Sequence, residues 1–387
     1  MTVLSVNEGL AGETPRYCRS CVLPDTRPNL KIGPDGICNA CAAHATKPAI
    51  DWSARERAFR QLVETTQQRT ARYDCVVPVS GGKDSTWQVV KCLEYGFVPL
   101  AVTWKTPGRT TIGQRNLDNL VALGVDHIDY QINPKVERLF MLKALDRFGS
   151  TAIPMHLAIF NIPLSLASRF GIPLVIWAEN SAFEYGSAAD EHAGFRLDRE
   201  WLKTYGVTHG TSARDWVDDE LTEKSLSAYF GPDPDELDAA GTRAIFLGYY
   251  FAWDPRATFA VAKRHGFSWV EGAARTGLYE FADIDDDFIS IHHWLKWYKF
   301  GFTRLFDNLA LEIRNGRMDR ALAIDLIRSS GDQTPHADIA KFCAFAGIST
   351  ERFFAIAERF RNPRVWKRRS DGVWHIPGFL VSDWPWE

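Results

Sequence analysis

Short apolar runs alternate with segments of helical spacing through the middle of the chain. Runs of strand length occupy residues 73–79, 97–104, 127–132, 172–178 and 245–250. Segments in which apolar residues recur every three or four positions lie among them, at 86–93, 113–124, 135–147 and 155–169. Strands that alternate with helices predict an α/β fold with a doubly wound parallel sheet.

Helical spacing dominates the last third of the chain, from about residue 285 to residue 360. One stripe follows a single helix face and is typical of a core: Trp294, Leu295, Tyr298, Phe302 and Leu305. The length of 387 residues exceeds one average domain. We therefore predict an N-terminal module at 1–50, an α/β domain at 51–280 and a helical C-terminal region at 281–387.

The hexapeptide Ser-Gly-Gly-Lys-Asp-Ser, at 80–85, joins the first predicted strand of the sheet to the helix that follows it. Glycines let the backbone approach a ligand closely and take a positive φ. The first N–H groups of a helix have no intrahelical partner, so they attract anions. Ser80 and Ser85 add hydroxyl donors, Lys83 adds a cation, and Asp84 offers a hard oxygen ligand for Mg²⁺.

This loop lacks the Gly-x-x-x-x-Gly-Lys-Ser/Thr spacing of the Walker motif. It resembles the PP-loop of the ATP pyrophosphatases of the adenine-nucleotide α-hydrolase-like superfamily, which bind the β and γ phosphates and release pyrophosphate. The resemblance implies ATP and Mg²⁺ as cofactors. The implied nucleotide-binding residues of the loop are Ser80, Gly81, Gly82, Lys83, Asp84 and Ser85. An ordinary Gly-rich turn between a strand and a helix is the alternative.

Two further positions are expected near this loop, because ligands of doubly wound sheets bind beyond the carboxyl ends of the strands. Thr103 and Trp104 end the second predicted strand, a place close to adenine in this fold family. Glu179 and Asn180 follow the fourth and place a carboxylate and an amide where metal or substrate could bind. A hydrogen-bonded turn residue is the alternative for Glu179.

Four of the seven cysteines form two pairs, Cys18-x-x-Cys21 and Cys38-x-x-Cys41, separated by sixteen residues. This spacing and a closed set of four thiolates predict a structural Zn²⁺ site. A metal that binds with about 10–16 kcal/mol of apparent energy could organise so short and loop-rich a segment. Disulfides and an iron–sulfur cluster are the alternatives. Because four cysteines already saturate the site, His44 is interpreted as a surface residue.

Composition and charge narrow the class of protein. The chain is 45% hydrophobic and 24% charged, and its net charge of −3 gives no reason to expect nucleic-acid binding. The most apolar stretch, 152–167, is interrupted by Pro154, His156 and Pro163, and the first fifteen residues lack a signal-peptide pattern. We therefore expect a cytoplasmic protein that makes no membrane contact.

Longer strings are similar to one family, the N-acetyl sugar amidotransferases of lipopolysaccharide, O-antigen and flagellin-sugar biosynthesis. The resemblance runs from about residue 16 to about residue 330. Its strings occupy 17–28, 35–41, 78–85, 99–104, 116–120, 124–128, 177–180, 246–254 and 299–302. Family members often have Pro-x-Cys-His where this chain has Pro154-Met155-His156, so the role of that cysteine, in catalysis or in packing, stays open here.

The resemblance implies that the acetamido group of an N-acetylated sugar or sugar nucleotide becomes an acetamidino group. AMP is transferred to the amide oxygen, ammonia replaces it, and AMP and pyrophosphate are released. The chain shows no glutaminase pattern. The family implies that ammonia comes from separate subunits, which resemble the glutaminase and cyclase of imidazole-glycerol-phosphate synthase.

The candidate catalytic residues are Lys83, Asp84, His156, Glu179 and Lys299. A hydrogen-bonded histidine near the sheet edge is the alternative for His156. Lys299 lies three residues after Lys296, so the two share a helix face. A solvated surface lysine is the alternative for Lys299.

Two charged runs are interpreted as surface features. Asp285-Asp286-Asp287 is predicted to begin a helix in solvent, with metal binding as the alternative. Six cations within 359–369 are predicted to face solvent or a partner, with a phosphate or nucleic-acid patch as the alternative.

Three other functions compete with the amidotransferase hypothesis. A tRNA sulfur-transfer enzyme shares the loop and sometimes a Cys₄ module, but it predicts a basic RNA-binding face and a catalytic cysteine pair, and neither is evident. Another PP-loop amide- or nitrile-forming ligase would use the same activation chemistry. A binding module would use the cysteine pairs to recognise a partner while the ATP site is vestigial.

Overall fold

The computed structural model describes residues 14–68, 72–179, 184, 207–272 and 274–386. Its helices are α1 (Asn39–Thr46), α2 (Trp52–Gln67), α3 (Lys83–Glu94), α4 (Thr111–Val121), α5 (Pro134–Phe148), α6 (Ala152–Phe170), α7 (Pro234–Ala240), α8 (Leu247–Tyr250), α9 (Pro255–Arg264), α10 (Ile289–Phe300), α11 (Arg304–Arg314), α12 (Arg320–Ser330), α13 (His336–Ala346) and α14 (Thr350–Glu358). Its strands are β1 (Cys75–Pro78), β2 (Pro99–Trp104), β3 (Asp126–Tyr130), β4 (Leu174–Trp177), β5 (Arg243–Phe246), β6 (Lys367–Arg368) and β7 (Trp374–His375).

Five strands form one parallel sheet in the order β3-β2-β1-β4-β5. The predicted doubly wound α/β fold is therefore confirmed. The chain builds outward from β1 to β3 on one side and then crosses back to place β4 on the other. The loop after β1 consequently lies at the point where the strand order reverses, where ligands of such sheets bind.

Strands β1, β2 and β4 are buried on both faces of the sheet, whereas the edge strand β3 is partly exposed. Val76 and Val175 belong to the apolar cluster that includes α5, α6 and the C-terminal helices. Cys75 and Val77 belong to the cluster on the opposite face, with residues of α2, α3 and α4. This explains why the inner strands appear in the sequence as continuous apolar runs.

The last predicted strand is only partly correct. β5 ends at Phe246, and the apolar residues that follow form the short helix α8. The backbone N–H of Gly248 donates to the carbonyl of Ala178 at 2.8 Å, so the chain turns where β4 also ends. Periodicity alone cannot separate a short buried strand from a buried helical turn.

The N-terminal cysteine module shares a core with the C-terminal region. Cys21 and Leu23 pack in one apolar cluster with Trp297, Phe306 and Trp384. Polar contacts also join the module to α10 and α11. Thr26 Oγ1 donates to the carbonyl of Phe300 at 2.6 Å, and Arg27 Nε donates to Asp307 Oδ1 at 2.9 Å. Two predicted parts of the chain are therefore continuous in space.

No helix in the described part of the chain combines the length and apolar composition needed to cross a membrane. The apolar stretch noted at 152–167 lies within α6, where Ile153, Ala158 and Ile162 pack against the sheet.

Candidate active site

The loop between β1 and α3 is organised by its own hydroxyl groups. The N–H of Ser80 donates to Ser85 Oγ at 2.9 Å, and the N–H of Gly82 donates to Ser80 Oγ at 3.2 Å. Helix α3 begins at Lys83, three residues earlier than its apolar spacing predicted, and no side chain caps its N-terminus. The helix end is therefore suited to an anion.

Gly81 is required by both conformation and space. Its φ is +89°, and a Cβ at this position would lie 2.6 Å from the carbonyl oxygen of Gly113 and 3.1 Å from the amide nitrogen of Leu117. The loop is thus pressed against α4, which sets its position relative to the sheet.

We expect Gly81→Ala to lower the free energy of unfolding by about 2–4 kcal/mol, from backbone strain together with the clash. Gly124→Ala is the matched control, because Gly124 has a φ of +105° but nothing within 4 Å of the added Cβ. It should cost only about 1–2 kcal/mol. Urea denaturation of both variants measures the difference, and equal losses would show that the contact with α4 is unimportant.

Asp84 is fixed by donors from a distant part of the chain. Its Oδ1 accepts hydrogen bonds from Trp253 Nε1 at 3.0 Å and from Thr258 Oγ1 at 2.9 Å. Its Oδ2 contacts the ammonium group of Lys83. Trp253 lies within 246–254, one of the segments that resemble the amidotransferase family. Thr258 was not predicted, because nothing in the neighbouring sequence marks it as a partner of Asp84.

Asp285 approaches the same loop, and the prediction of a helix start in solvent at 285–287 is wrong. A Cβ on Gly82 would lie 3.8 Å from Asp285 Oδ2, and one on Gly113 would lie 2.6 Å from Asp285 Cα. Asp286 is buried, and burial raises the pKa of its carboxyl to about 7. Asp287 pairs with Lys341 at 2.9 Å.

The reason lies in long-range backbone pairing. The N–H of Thr110 donates to the carbonyl of Asp285 at 3.1 Å, and the N–H of Asp287 donates to the carbonyl of Gly108 at 2.7 Å. These bonds hold the acidic segment against the start of α4. Composition alone cannot show such a contact.

A cavity of about 460 Å³ opens at the carboxyl ends of β1, β2 and β4. The loop residues other than Gly81 line it, together with Thr103, Trp104, His156 and Glu179. Met155, which stands where the resembling family often has cysteine, lines it as well. The structure thus brings most of the predicted site residues to one place. Asn180 lies outside the described residues.

Glu179 is poised to exchange a proton near neutral pH. Burial, followed by the negative charge of Asp84, raises the pKa of its carboxyl to about 7, while Lys83 and Arg304 act in the opposite direction. A carboxyl group in this range can accept or donate a proton during turnover.

His156 has one ring nitrogen committed to the backbone. Its Nδ1 lies 2.7 Å from the carbonyl oxygen of Ala152 in the preceding turn of α6, so Nδ1 carries the hydrogen. Burial, with a smaller contribution from the positive charge of Lys296, lowers the pKa of the ring to about 4, while the hydrogen bond to Ala152 acts in the opposite direction. The ring is therefore neutral at pH 7, with a lone pair on Nε2.

Thr103 and Trp104 are held by polar partners. Thr103 Oγ1 lies 2.9 Å from His127 Nε2, and Trp104 Nε1 donates to Glu137 Oε1 at 2.8 Å. Glu137 is 2% exposed, and burial raises the pKa of its carboxyl to about 8. Its hydrogen bond orients the indole at the cavity wall.

This pKa predicts a pH-dependent stability. The pKa of Glu137 is higher in the folded protein than in the unfolded chain. Its protonated carboxyl group therefore stabilises the fold fully below about pH 4.5, and this stabilisation is lost as the pH rises through about 8. Glu137→Gln keeps an acceptor for Trp104 but cannot ionise. Between pH 5 and 9 we expect the free energy of unfolding of the wild type to fall by about 2–4 kcal/mol more than that of Glu137→Gln. Denaturation at a series of pH values measures this, with exposed Glu94→Gln as the control. Parallel curves for the wild type and Glu137→Gln would contradict it.

Lys299 is buried, at 6% exposure, so its alternative as a solvated surface lysine is wrong. Helix α10 is packed on more than one side: Trp294 and Leu295 belong to the apolar cluster under the sheet, and Trp297 and Phe300 belong to the cluster of the four N-terminal cysteines. Burial, and then the charge of Lys296, lowers the pKa of the Lys299 ammonium to about 7. Lys299 is not part of the cavity lining.

The four N-terminal cysteines converge on one point. Their sulfur atoms all lie within 4.8 Å of one another, with Cys18 and Cys41 at 4.0 Å and Cys21 and Cys38 at 3.8 Å. A tetrahedron of sulfurs around Zn²⁺ has edges of about 3.8 Å. The thiols are free, so the disulfide alternative is not supported.

Backbone N–H groups further prepare the sulfur atoms for a metal. The amides of Cys21 and Cys38 donate to Cys18 Sγ at 3.5 and 3.2 Å, and that of Cys41 donates to Cys38 Sγ at 3.4 Å. Such bonds stabilise thiolates.

His44 is half-buried, and burial lowers the pKa of its ring to about 4.

The basic run at 359–369 makes contacts within the chain. Arg359 pairs with Asp146 at 2.7 Å, and Arg361 pairs with Glu358 at 2.8 Å. The guanidinium of Arg361 also lies 4.5 Å from the ring centres of Tyr298 and Trp366. These two cations serve the packing of the C-terminal region.

Comparison with known proteins gives one family match. Residues 276–378 match the model described as "LPS biosynthesis protein WbpG-like, C-terminal domain", which supports the resemblance to the lipopolysaccharide amidotransferases. No curated protein matches the chain. A similar solved structure, NMN synthetase from Francisella tularensis, has 10% identity and a TM-score of 0.25 over 50% of this chain and 93% of its own.

Proposed function

We propose that this protein is an ATP-dependent amidotransferase of lipopolysaccharide biosynthesis, which converts the acetamido group of an N-acetylated sugar or sugar nucleotide into an acetamidino group. The observation that carries the proposal is the single cavity that joins the Ser80–Ser85 loop to Glu179 and His156. A phosphate cradle therefore adjoins a carboxyl group that can exchange a proton near neutral pH and a neutral imidazole that can accept a hydrogen bond. The family match of the C-terminal region supports the same pathway.

The chemistry requires activation of a poor leaving group. The amide oxygen attacks the α-phosphorus of ATP, the bond to the β-phosphate breaks, and pyrophosphate leaves. Ammonia then adds to the carbon of the resulting imidate, and AMP departs with the former amide oxygen. The acceptor has exchanged an oxygen for NH, and ATP has become AMP and pyrophosphate.

The loop would bind the departing pyrophosphate. The N-terminus of α3 and the hydroxyls of Ser80 and Ser85 are oriented to hydrogen-bond phosphate oxygens. The ammonium of Lys83 balances charge that develops as the phosphorus–oxygen bond breaks. It would exchange its contact with Asp84 for one with phosphate.

Mg²⁺ fits the carboxylates beside the loop. Asp84 and Asp285 flank it from two directions, and both offer the oxygen ligands that this ion prefers. The bound ion would neutralise the negative charge of the triphosphate.

The second half-reaction needs groups that handle protons. Glu179 in its ionised form is suited to accept a proton from the attacking nitrogen, since its pKa of about 7 leaves much of it ionised at neutral pH. His156 Nε2 is suited to accept a hydrogen bond from the acceptor sugar. The ammonia source stays a prediction, with a separate glutaminase and cyclase pair as the proposed partner.

The cysteine cluster is proposed to hold a structural Zn²⁺. Its four buried thiols leave no position for substrate, and they do not line the cavity. None of the other cysteines of the described chain lines the cavity either. This argues against the tRNA sulfur-transfer alternative, which requires cysteines near the activated nucleotide.

The direct test combines purified protein with Mg²⁺-ATP, ammonium and a set of UDP-acetamido sugars. Pyrophosphate release that depends on the acceptor, together with a product in which NH replaces oxygen, would establish the reaction. Mass spectrometry and a coupled pyrophosphate assay measure the two. Pyrophosphate release without that exchange would preserve ATP activation but reject the amidotransferase.

A further inference from the structure

Basic side chains, two lysines and two further histidines, gather beside His156 on the side of α10 that faces α6. His292, Lys296 and Lys299 follow one another at intervals of four and three residues, so they share one face of the helix. The ring centre of His156 lies 5.6 Å from that of His292. His209 lies close to them: burial, and then the charges of Lys299 and His156, lower the pKa of its ring. We call these five residues the cationic cluster.

Among the described residues, one carboxylate, that of Asp307, contacts a lysine of the cluster. Lys296 Nζ lies 3.4 Å from Asp307 Oδ2, but that carboxylate is also engaged by Arg27 at 2.9 Å. Among the described residues, Lys299 has no carboxylate within ion-pair distance. Lys299 is nevertheless buried, with 6% of its surface exposed. A buried ammonium group without an anion is unfavourable.

Hydrogen-bonding capacity is also unused in the cluster. The Nδ1 atoms of His209 and His292 are buried and have no hydrogen-bond partner in the part of the chain that the structure describes. Burial and neighbouring cations lower the pKa of His292, and no carboxylate contributes to the shift at Lys299. An arriving anion would reverse these shifts and supply the absent acceptor.

We propose that the cationic cluster binds an anionic group of the acceptor, either a diphosphate or a sugar carboxylate. The triphosphate of ATP already has a cradle at the Ser80–Ser85 loop, whereas the cluster adjoins the cavity through His156. This inference rests on the proposed function for the identity of the acceptor. It adds that the acceptor is recognised by charge at a place separate from the loop.

Binding titrations can test the cluster without turnover. The full chain is saturated with Mg²⁺ and α,β-methylene-ATP, which fills the loop but cannot be cleaved between the α and β phosphates. UDP-N-acetylglucosamine, an N-acetylated hexosaminuronic acid and free N-acetylglucosamine are then titrated separately. They carry a diphosphate, a carboxylate and no anion, respectively.

Lys299→Met should weaken binding of one of the anionic probes by about 10- to 100-fold, the usual range for a charge-assisted contact. It should not weaken binding of free N-acetylglucosamine. Loss for the UDP sugar identifies the diphosphate as the bound group, and loss for the uronic acid identifies the carboxylate. Exposed Lys135→Met is the charge-matched control and should bind every probe as the wild type does.

Thermal unfolding guards against misfolding as the explanation. Without ligand, Lys299→Met should unfold at the same temperature as the wild type or higher, because it removes an unpaired buried charge. His292→Leu is a second variant that should weaken the same probe. Unchanged affinity of both variants for both anionic probes would overturn the proposal.

These results separate the two proposals. If Lys299→Met loses anion binding but no acceptor supports pyrophosphate release, the cationic cluster stands and the proposed reaction fails. If the reaction occurs and the variants bind normally, the reaction stands and the cluster fails.

Discussion

Asp84→Asn is expected to reduce pyrophosphate release by at least about 10²–10³-fold, the range typical of losing one electrostatic contact to a transition state. The asparagine oxygen can still accept the hydrogen bonds of Trp253 and Thr258, so the fold should survive. What is lost is the negative charge that would hold Mg²⁺ beside the triphosphate. Single-turnover assays at saturating ATP measure the effect on chemistry alone.

The control lies on the same helix. Glu94 is exposed at the opposite end of α3, so Glu94→Gln removes one negative charge without touching the loop. It should retain wild-type turnover. If Asp84→Asn retained turnover as well, the carboxylate would have no part in holding the metal. Restoration at high Mg²⁺ would show that only affinity had changed.

Cys38→Ser is expected to remove the bound zinc and to destabilise the fold by about 4 kcal/mol or more. The effect should exceed that of losing a local module, since the cysteines pack in one core with α10, α11 and the C-terminal segment. Metal analysis and thermal unfolding measure the two consequences. The lower melting temperature should appear in the unfolding of the whole C-terminal region.

A buried cysteine elsewhere provides the matched comparison. Cys343→Ala removes a thiol from the apolar cluster beneath the sheet, so it should keep one equivalent of zinc and lose little stability. Iron in place of zinc would favour the cluster alternative. A zinc content unchanged by Cys38→Ser would reject the four-thiolate site.

The sequence allowed prediction of the features that depend on neighbouring residues. Buried parallel strands are continuous apolar runs because both faces are covered, and the loop at 80–85 needs only a strand before it and a helix after it. The four cysteines were recognisable because metal ligands occur in pairs at fixed short spacing. Each of these signals lies within a few tens of residues.

Contacts between distant residues were not predictable in the same way. Thr258 binds Asp84 across 174 positions, and backbone pairing with the start of α4 brings Asp285 to the loop. The burial of Lys299 was not predictable for a related reason. Its helix has a polar face in sequence, and only the fold shows that other parts of the chain cover it.

The shared core of the cysteine module has a consequence for biosynthesis. Trp297, Trp366 and Trp384 pack together, with Trp297 5.0 Å from Trp366 and 5.5 Å from Trp384 between ring centres, and Tyr17 lies 6.2 Å from Phe379. The module at 1–50 is translated before these partners at 297–384, so it leaves the ribosome long before they have been synthesised. At typical translation rates of about 5–20 residues per second, its apolar side waits for tens of seconds. Metal binding by the nascent chain would keep the module compact in that interval. Because the apolar side of the module stays uncovered until the C-terminal region is made, we expect chaperones to bind it there.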